Sequence, residues 1–319
     1  SIGKYSIKTL PKNRVAMLYW SKLKKHMERN FSTLLRHSWD NQKFLCIGLD
    51  PVIEKIPKIL HKKTLVDTLV SFCCHVVDTT HHYTAAFKPN LAFFEQYGSE
   101  GWQALKKICQ HIHTTAPETS IILDAKRGDI GHTNEAYVTA LFSYLKGDAV
   151  TLHPYLGKQS LKPFLTQKNK GCIFLIKTSN PGSAEFQNIL YNESPLWLHI
   201  AKTIMTEWNN NNNCSLVLGA TYPEDIASAR HTLGDSTPFL IPGIGTQGGN
   251  MQTVVTAAKN TKNQGALFSV SRSIIYNNKK HTPEQSIEER AKTMSIMIKE
   301  YINHQKTTPT PRSPKKKDV

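Results

Sequence analysis

Asp124 and Lys126 stand two residues apart in an apolar, β-branched run. Asp129 follows three residues later, and Lys88 ends the apolar run before it. Residues two apart on a strand share a face, so Asp124 and Lys126 are expected to point the same way. Lys88 would come from the neighbouring strand. Ammonium and carboxylate groups this close in a low-dielectric pocket interact strongly, and each carboxylate keeps an ammonium protonated. A Lys–Asp–Lys–Asp array suits a reaction in which negative charge builds up beside a cation. It also sets a proton donor next to a developing carbanion. For Asp-x-Lys alone, a strand-end ion-pair network without chemistry is the competing reading, because structural networks perturb pKa values as well.

A second group of residues suits an anion. Gly243 and Gly245 allow close backbone approach, and Gln247 and Arg272 donate hydrogen bonds. Arg272 matches a phosphate with two parallel bonds; a surface salt bridge is the plainer alternative. The 14 histidines are scattered, with no His/Cys/carboxylate cluster at ligand spacing. A Ser-His-Asp triad is left open, but no nucleophile-elbow sequence accompanies it. No metal site is evident from the residues.

These residues need a frame. Short apolar runs at 44–49, 84–88, 120–126, 148–153, 172–177, 216–220, 238–242 and 266–271 alternate with longer amphipathic stretches. Near-continuous apolar strands belong to a parallel sheet buried on both faces. Eight of them alternating with helices predict an α/β fold, a (β/α)8 TIM barrel. A doubly wound open sheet is the alternative, but its Gly-x-Gly-x-x-Gly fingerprint after the first strand is missing. In a barrel, functional residues sit at the C-terminal strand ends, where each group named above falls. Ser194-Pro195 and Thr282-Pro283 read as N-cap and N1 pairs of helices. The run 209–213 reads as a polar linker. Apolar residues recur at helical spacing from Met17 to Leu34. That stripe suits a helix packed on its own domain better than a membrane-surface or transit helix.

The chain has 319 residues, 39% hydrophobic and 20% charged, enough for a core. No apolar run approaches the ~18 residues of a membrane span. The formal charge is +16, of which residues 1–40 carry +7 and residues 306–319 carry +4. Basic ends around a mildly basic globule read as solvated tails, so nucleic-acid binding is not expected. The domain reading is a basic extension over 1–29, the barrel over 30–303 and a disordered Lys/Pro-rich tail over 304–319. Six cysteines without a Cys-x-x-Cys pair, and no signal peptide, point to a reducing, cytoplasmic setting.

Gly-Leu-Asp-Pro at 48–51, Phe-Lys-Pro-Asn at 87–90, Asp-Ala-Lys-Arg-Gly-Asp-Ile-Gly at 124–131 and Pro-Gly-Ile-Gly-x-Gln at 242–247 together resemble the orotidine 5′-phosphate decarboxylase family. Lys-Thr-Ser-Asn-Pro at 177–181 is similar to its longer, bacterial and protozoan-like branch. The resemblance spans about residues 30 to 300. Asp-x-Lys-x-x-Asp is shared with sister sugar-phosphate decarboxylases and synthases; Lys88 and the 177–181 loop narrow the choice. The resemblance implies cofactor-free decarboxylation of orotidine monophosphate (OMP) to uridine monophosphate (UMP) in pyrimidine synthesis. By that resemblance Lys126 protonates C6, Asp124 lies against the departing carboxylate, and Lys88 bridges the array and contacts the ribose. Asp129 and Thr133 would reach across a homodimer interface to the partner's ribose. Asp50 and Asn90 would hold ribose hydroxyls, and Ser179 would read the pyrimidine edge. Gln247, Arg272 and the backbone at Gly245 would clamp the phosphate. The extensions at both ends have no counterpart in the family pattern.

Two other readings remain. One is a metal-dependent sugar-phosphate decarboxylase or synthase of the same superfamily. The other is a catalytically dead barrel that binds nucleic acid or a membrane surface through its basic ends. Steep salt dependence would mark the latter.

Overall fold

A computed structural model describes residues 29–244, 250–276 and 283–304. Eight parallel strands close into a barrel. They are β1 (Leu45–Leu49), β2 (Thr84–Pro89), β3 (Ser120–Arg127), β4 (Ala149–Leu152), β5 (Gly171–Lys177), β8 (Cys214–Leu218), β9 (Phe239–Pro242) and β10 (Ala266–Val270). Around the ring the order is β1-β10-β9-β8-β5-β4-β3-β2. All eight expected strands are present, shifted by a few residues at their ends. β1, β2, β4, β8 and β10 are buried along their whole length, as strands covered on both faces must be.

The elements between them are amphipathic helices. Leu65–Thr80 buries Leu69, Phe72, Cys73, Val76 and Val77, and Thr64 caps it by accepting from the Asp67 N–H at 3.0 Å. It packs on Gly98–Thr115, which buries Leu105, Ile108, Cys109 and Ile112.

The N-terminal mouth of the barrel is closed by Phe31–Asp40. Trp39 Nε1 donates to the Ala266 carbonyl at 3.0 Å. A Cβ on Gly171 would lie 2.2 Å from Phe31 Cδ1, so the ring sits directly on the start of β5. Asn30 has extended backbone and its side chain accepts from the Thr33 N–H. That cap starts a helix at Phe31, so the apolar stripe from Met17 to Leu34 is not one continuous helix; its first part lies outside the described residues. Arg29, counted with the extension in the sequence reading, is tied into the barrel floor. It donates from Nε and Nη2 to Asp148, at 2.9 and 2.7 Å, and from Nη2 to the Thr119 carbonyl.

The capping expectation at Ser194-Pro195 is corrected. Ser194-Pro195 is not a helix cap. It forms β7 (Ser194–Pro195), which pairs antiparallel with β6 (Leu190–Tyr191). The Leu196 N–H donates to the Ile189 carbonyl at 2.7 Å, which closes a small hairpin, and the helix starts only at Leu196. The run 209–213 is the expected polar linker into the strand at Cys214, and its side chains are tied down. Asn209 Oδ1 accepts from the Cys214 N–H, and Asn213 Nδ2 donates to the Gln167 and Lys170 carbonyls. The asparagines satisfy backbone groups that would otherwise be buried unpaired. The last helix does begin at Pro283; Thr282 lies outside the described residues. No helix among the described residues is long and apolar enough to cross a membrane. All six cysteines are free.

Candidate active site

The C-terminal rim gathers the candidate residues. Lys88, on β2, is buried, and its Nζ donates to Asp124 Oδ2 at 2.8 Å. Lys126 Nζ donates to Asp124 Oδ1 at 2.6 Å. One carboxylate is thus held between two ammonium groups, with its side chain 11% exposed. Burial alone would push the Asp124 carboxyl up, but Lys88 and then Lys126 outweigh it and hold it well below the usual carboxylate range. Burial likewise pulls the Lys88 ammonium down, and Asp124 followed by Asp50 more than reverses this. Both groups are therefore charged at neutral pH.

Lys126 reaches Asp124 by an irregular path. The ladder between β3 and β4 shifts register between Leu123 and Arg127: Leu123 pairs with Val150 and Arg127 with Leu152. Four steps on β3 thus face two on β4, which is a β-bulge. Within it Lys126 has φ +48°, a left-handed conformation uncommon outside glycine. The expected pairing of Asp124 with Lys126 is present, but a bulge delivers it rather than the plain alternation of a strand.

Asp129 stands apart. Its N–H donates to Asn134 Oδ1 at 3.0 Å and its Oδ1 accepts from the Ile130 N–H at 2.7 Å. Among the described residues it makes no ion pair with Lys88 or Lys126. The array inside one chain is therefore Lys–Asp–Lys, and the fourth member of the expected array is missing from it. Thr133 is exposed on the helix Gly131–Val138 next to Asp129.

Asp50 follows β1. Its Oδ1 is buried with no hydrogen-bond partner. Burial pushes this carboxyl up, ahead of the opposing pull of Lys88. A buried acceptor left open at the rim suits a ligand donor such as a hydroxyl. Asn90 sits between β1 and β3: its N–H donates to the Leu49 carbonyl at 3.4 Å, and it bridges to Asp124 in parallel fashion. Ser179 follows β5 and lies against β8's end, where a Cβ on Gly219 would stand 2.9 Å from the Ser179 nitrogen. Arg272 is exposed just after β10. Gly245 and Gln247 lie outside the described residues, so of the anion-binding group Gly243, at φ +96°, and Arg272 are described. Among the described residues no three His, Cys, Asp or Glu side chains converge as a metal site.

Several positioning residues escaped the sequence reading. Thr151, on β4, accepts the Lys126 N–H at 3.0 Å and donates to Asp124 Oδ1 at 2.9 Å. Tyr276 Oη accepts the Val52 N–H at 2.6 Å and donates to the Asp50 carbonyl at 2.8 Å, tying the loop after β1 to the end of the barrel. Asn134 is fully buried and clamps the Asp129 backbone from both sides. Lys177 is buried, bonds Asn188 Oδ1, and lies 3.5 Å from Asp225 and 4.6 Å from the Tyr222 ring. It anchors the base of the loop that carries Ser179. A polar residue within an otherwise apolar strand was the available signal for Thr151; the partners of the others are too distant in sequence to be seen.

Comparison with known proteins decides the family. Residues 43–288 match the model of the orotidine 5′-phosphate decarboxylase / HUMPS family. The chain belongs to this family. The orotidine 5′-phosphate decarboxylase of Bordetella pertussis is 40% identical over 248 residues, 77% of this chain and 89% of the relative. That of Herpetosiphon aurantiacus is 44% identical over 237 residues, 74% and 85% of the two chains. The solved structure of Leishmania donovani OMP decarboxylase superposes with a TM-score of 0.76 at 32% identity, covering 86% of this chain and all (100%) of that one. The matched region contains all eight barrel strands and each of the motifs at 48–51, 87–90, 124–131, 177–181 and 242–247.

Proposed function

We propose that this chain decarboxylates OMP to UMP, the last step of pyrimidine nucleotide synthesis, with Lys88, Asp124 and Lys126 as its reacting centre. The observation that carries this reading is one buried carboxylate gripped by two ammonium groups at 2.8 and 2.6 Å on the barrel's C-terminal rim. The C6–carboxylate bond breaks, carbon dioxide leaves, and the electron pair stays on C6. The Lys126 ammonium stabilises that charge and gives its proton to C6, then regains one from water. Asp124 lies against the departing carboxylate and keeps Lys126 charged. Lys88 neutralises Asp124 from the buried side and contacts the ribose. Asp50 and Asn90 hold ribose hydroxyls, Ser179 reads the pyrimidine edge, and Gln247, Arg272 and the Gly245 backbone take the phosphate. Phosphate binding far from C6 supplies energy that can be used at the reacting carbon. The preorganised ammonium supplies the electrostatics that a metal would supply elsewhere, so no cofactor is required. The free cysteines suit a cytoplasmic enzyme.

The test is conversion of OMP in the presence of excess chelator. UMP and carbon dioxide should appear one for one at the rate seen without chelator. A sister enzyme acting on sugar phosphates would leave OMP intact and lose its own activity to the chelator. A dead barrel would bind without turnover and release its ligand steeply as salt rises.

The site is completed by a homodimer in this reading. Ile130, Tyr155 and Leu156 are 63%, 93% and 45% exposed on the loops beside Asp129, an apolar fringe that a second copy would cover. Asp129 and Thr133 then reach the partner's ribose. Lys126→Ala and Asp129→Ala should each be inactive alone. Mixed, they should regain up to about a quarter of wild-type turnover, because half the dimers are hybrids and one of their two sites is intact. No recovery after demonstrated subunit exchange would place Asp129 in its own chain's site.

A further inference from the structure

We propose that Thr151 is a positioning residue that holds Lys126 in its left-handed conformation and aligns Asp124. The proposal rests on the decarboxylase reading above. Its basis is the bulge between β3 and β4. The bulge removes the Lys126 N–H from the ladder, and this part-buried N–H takes another acceptor. Thr151 Oγ1 is that acceptor, at 3.0 Å, and the same hydroxyl donates to Asp124 Oδ1 at 2.9 Å. Thr151 is 2% exposed, so water does not readily replace it. Asp124 Oδ1 also receives the Lys126 ammonium at 2.6 Å. One hydroxyl therefore fixes both ends of the Asp124–Lys126 unit: the backbone of the proton donor and the carboxylate that orients it.

A non-glycine residue at φ +48° is strained and persists only where its surroundings over-determine it. Without the hydroxyl, the segment loses the bond that closes the bulge and can relax toward a regular strand. The Lys126 ammonium then leaves the line to C6. Thr151 never touches substrate in this account; it acts through Lys126.

Thr151→Val keeps the shape and removes the hydroxyl, Thr151→Ala removes it without adding a methyl, and Thr151→Ser restores it. All three are compared with wild type for OMP turnover, KM, UMP affinity and melting temperature. Folded Thr151→Val, or Thr151→Ala if valine is not accommodated, should lose about 10- to 100-fold in kcat, the scale of a misplaced reacting group. KM and UMP affinity should stay within about threefold, since only transition-state alignment is lost. Thr151→Ser should stay within about threefold of wild-type kcat. Three results would overturn the proposal: an unchanged kcat in the hydroxyl-free variant, a serine variant as slow as valine, or a loss that appears in KM rather than kcat. An inactive wild type overturns the decarboxylase reading and this one with it; an active wild type with an unaffected valine variant overturns this one alone.

Discussion

Lys126→Ala turns over OMP at least about four powers of ten more slowly than wild type, a loss of about 5.5 kcal/mol of transition-state stabilisation, yet still binds UMP. The size follows from the chemistry. Decarboxylation at C6 leaves an electron pair on a ring carbon that cannot delocalise it, so the barrier in water is very high. The chain's answer is a fixed ammonium. Lys126 is held to Asp124 at 2.6 Å and its side chain is 44% exposed. Alanine removes both the charge and the proton. In the proposed site nucleotide binding rests on other residues, Asp50, Asn90, Ser179 and Arg272 among them, so UMP affinity should change by no more than about tenfold. Equilibrium UMP binding beside single-turnover measurements separates the two. Loss of UMP binding in step with turnover would make Lys126 a binding group instead.

Asp124→Ala has the second-largest effect and acts on stability as well. Removing the carboxylate leaves Lys88 buried without its strongest counter-charge and Thr151 without its acceptor. Breaking a buried pair from one side costs about 3–5 kcal/mol, which the urea midpoint should register. Turnover should fall at least about 1,000-fold, since orientation and charge balance at Lys126 go together. Replacing both partners, Lys88→Met with Asp124→Leu, should recover much of the stability, because apolar pairs of similar volume often match buried ion pairs. It should recover none of the turnover. An Asp124→Ala protein as stable as wild type would contradict the description of Lys88 as a charge paid for by Asp124.

The same pair sets a pH window. The Asp124 carboxyl is depressed by Lys88 and Lys126 against the opposing effect of burial. Its contribution to stability is fully present above the unfolded carboxyl value of about 3.9 and is lost as pH falls through the lower folded value. Lys88 is raised, because Asp124 and Asp50 outweigh burial. Its contribution is fully present below the unfolded value of about 10.4 and is lost as pH rises through the folded one. Wild-type stability attributable to the pair should therefore be flat across neutral pH. The penalty of Asp124→Ala should shrink in strong acid, where wild type also loses the charged carboxylate.

The barrel was legible in the sequence because parallel strands covered on both faces leave unbroken apolar runs, and the runs ending at Leu49, Lys88 and Lys177 are of that kind. The meeting of Lys88, Asp124 and Lys126 was legible because strand ends in a barrel converge on one rim. What escaped depends on partners far along the chain. The left-handed turn at Lys126 needs the Thr151 hydroxyl, 25 residues away. Asp50 is held from Tyr276, 226 residues away. Ser194-Pro195 carried a good local capping signal, but the Leu196–Ile189 hydrogen bond outweighed it. Spacing sets Asp129 beside the array, while within its own chain its bonds are to Asn134 and the Ile130 N–H.

The most direct test of the central claim is the fall in ultraviolet absorbance as OMP is consumed, followed for wild type and Lys126→Ala side by side with excess chelator. The account predicts steady, chelator-insensitive turnover by wild type and none above background by the variant. Folded wild type that leaves OMP untouched, or a variant that consumes it at near the wild-type rate, would contradict it.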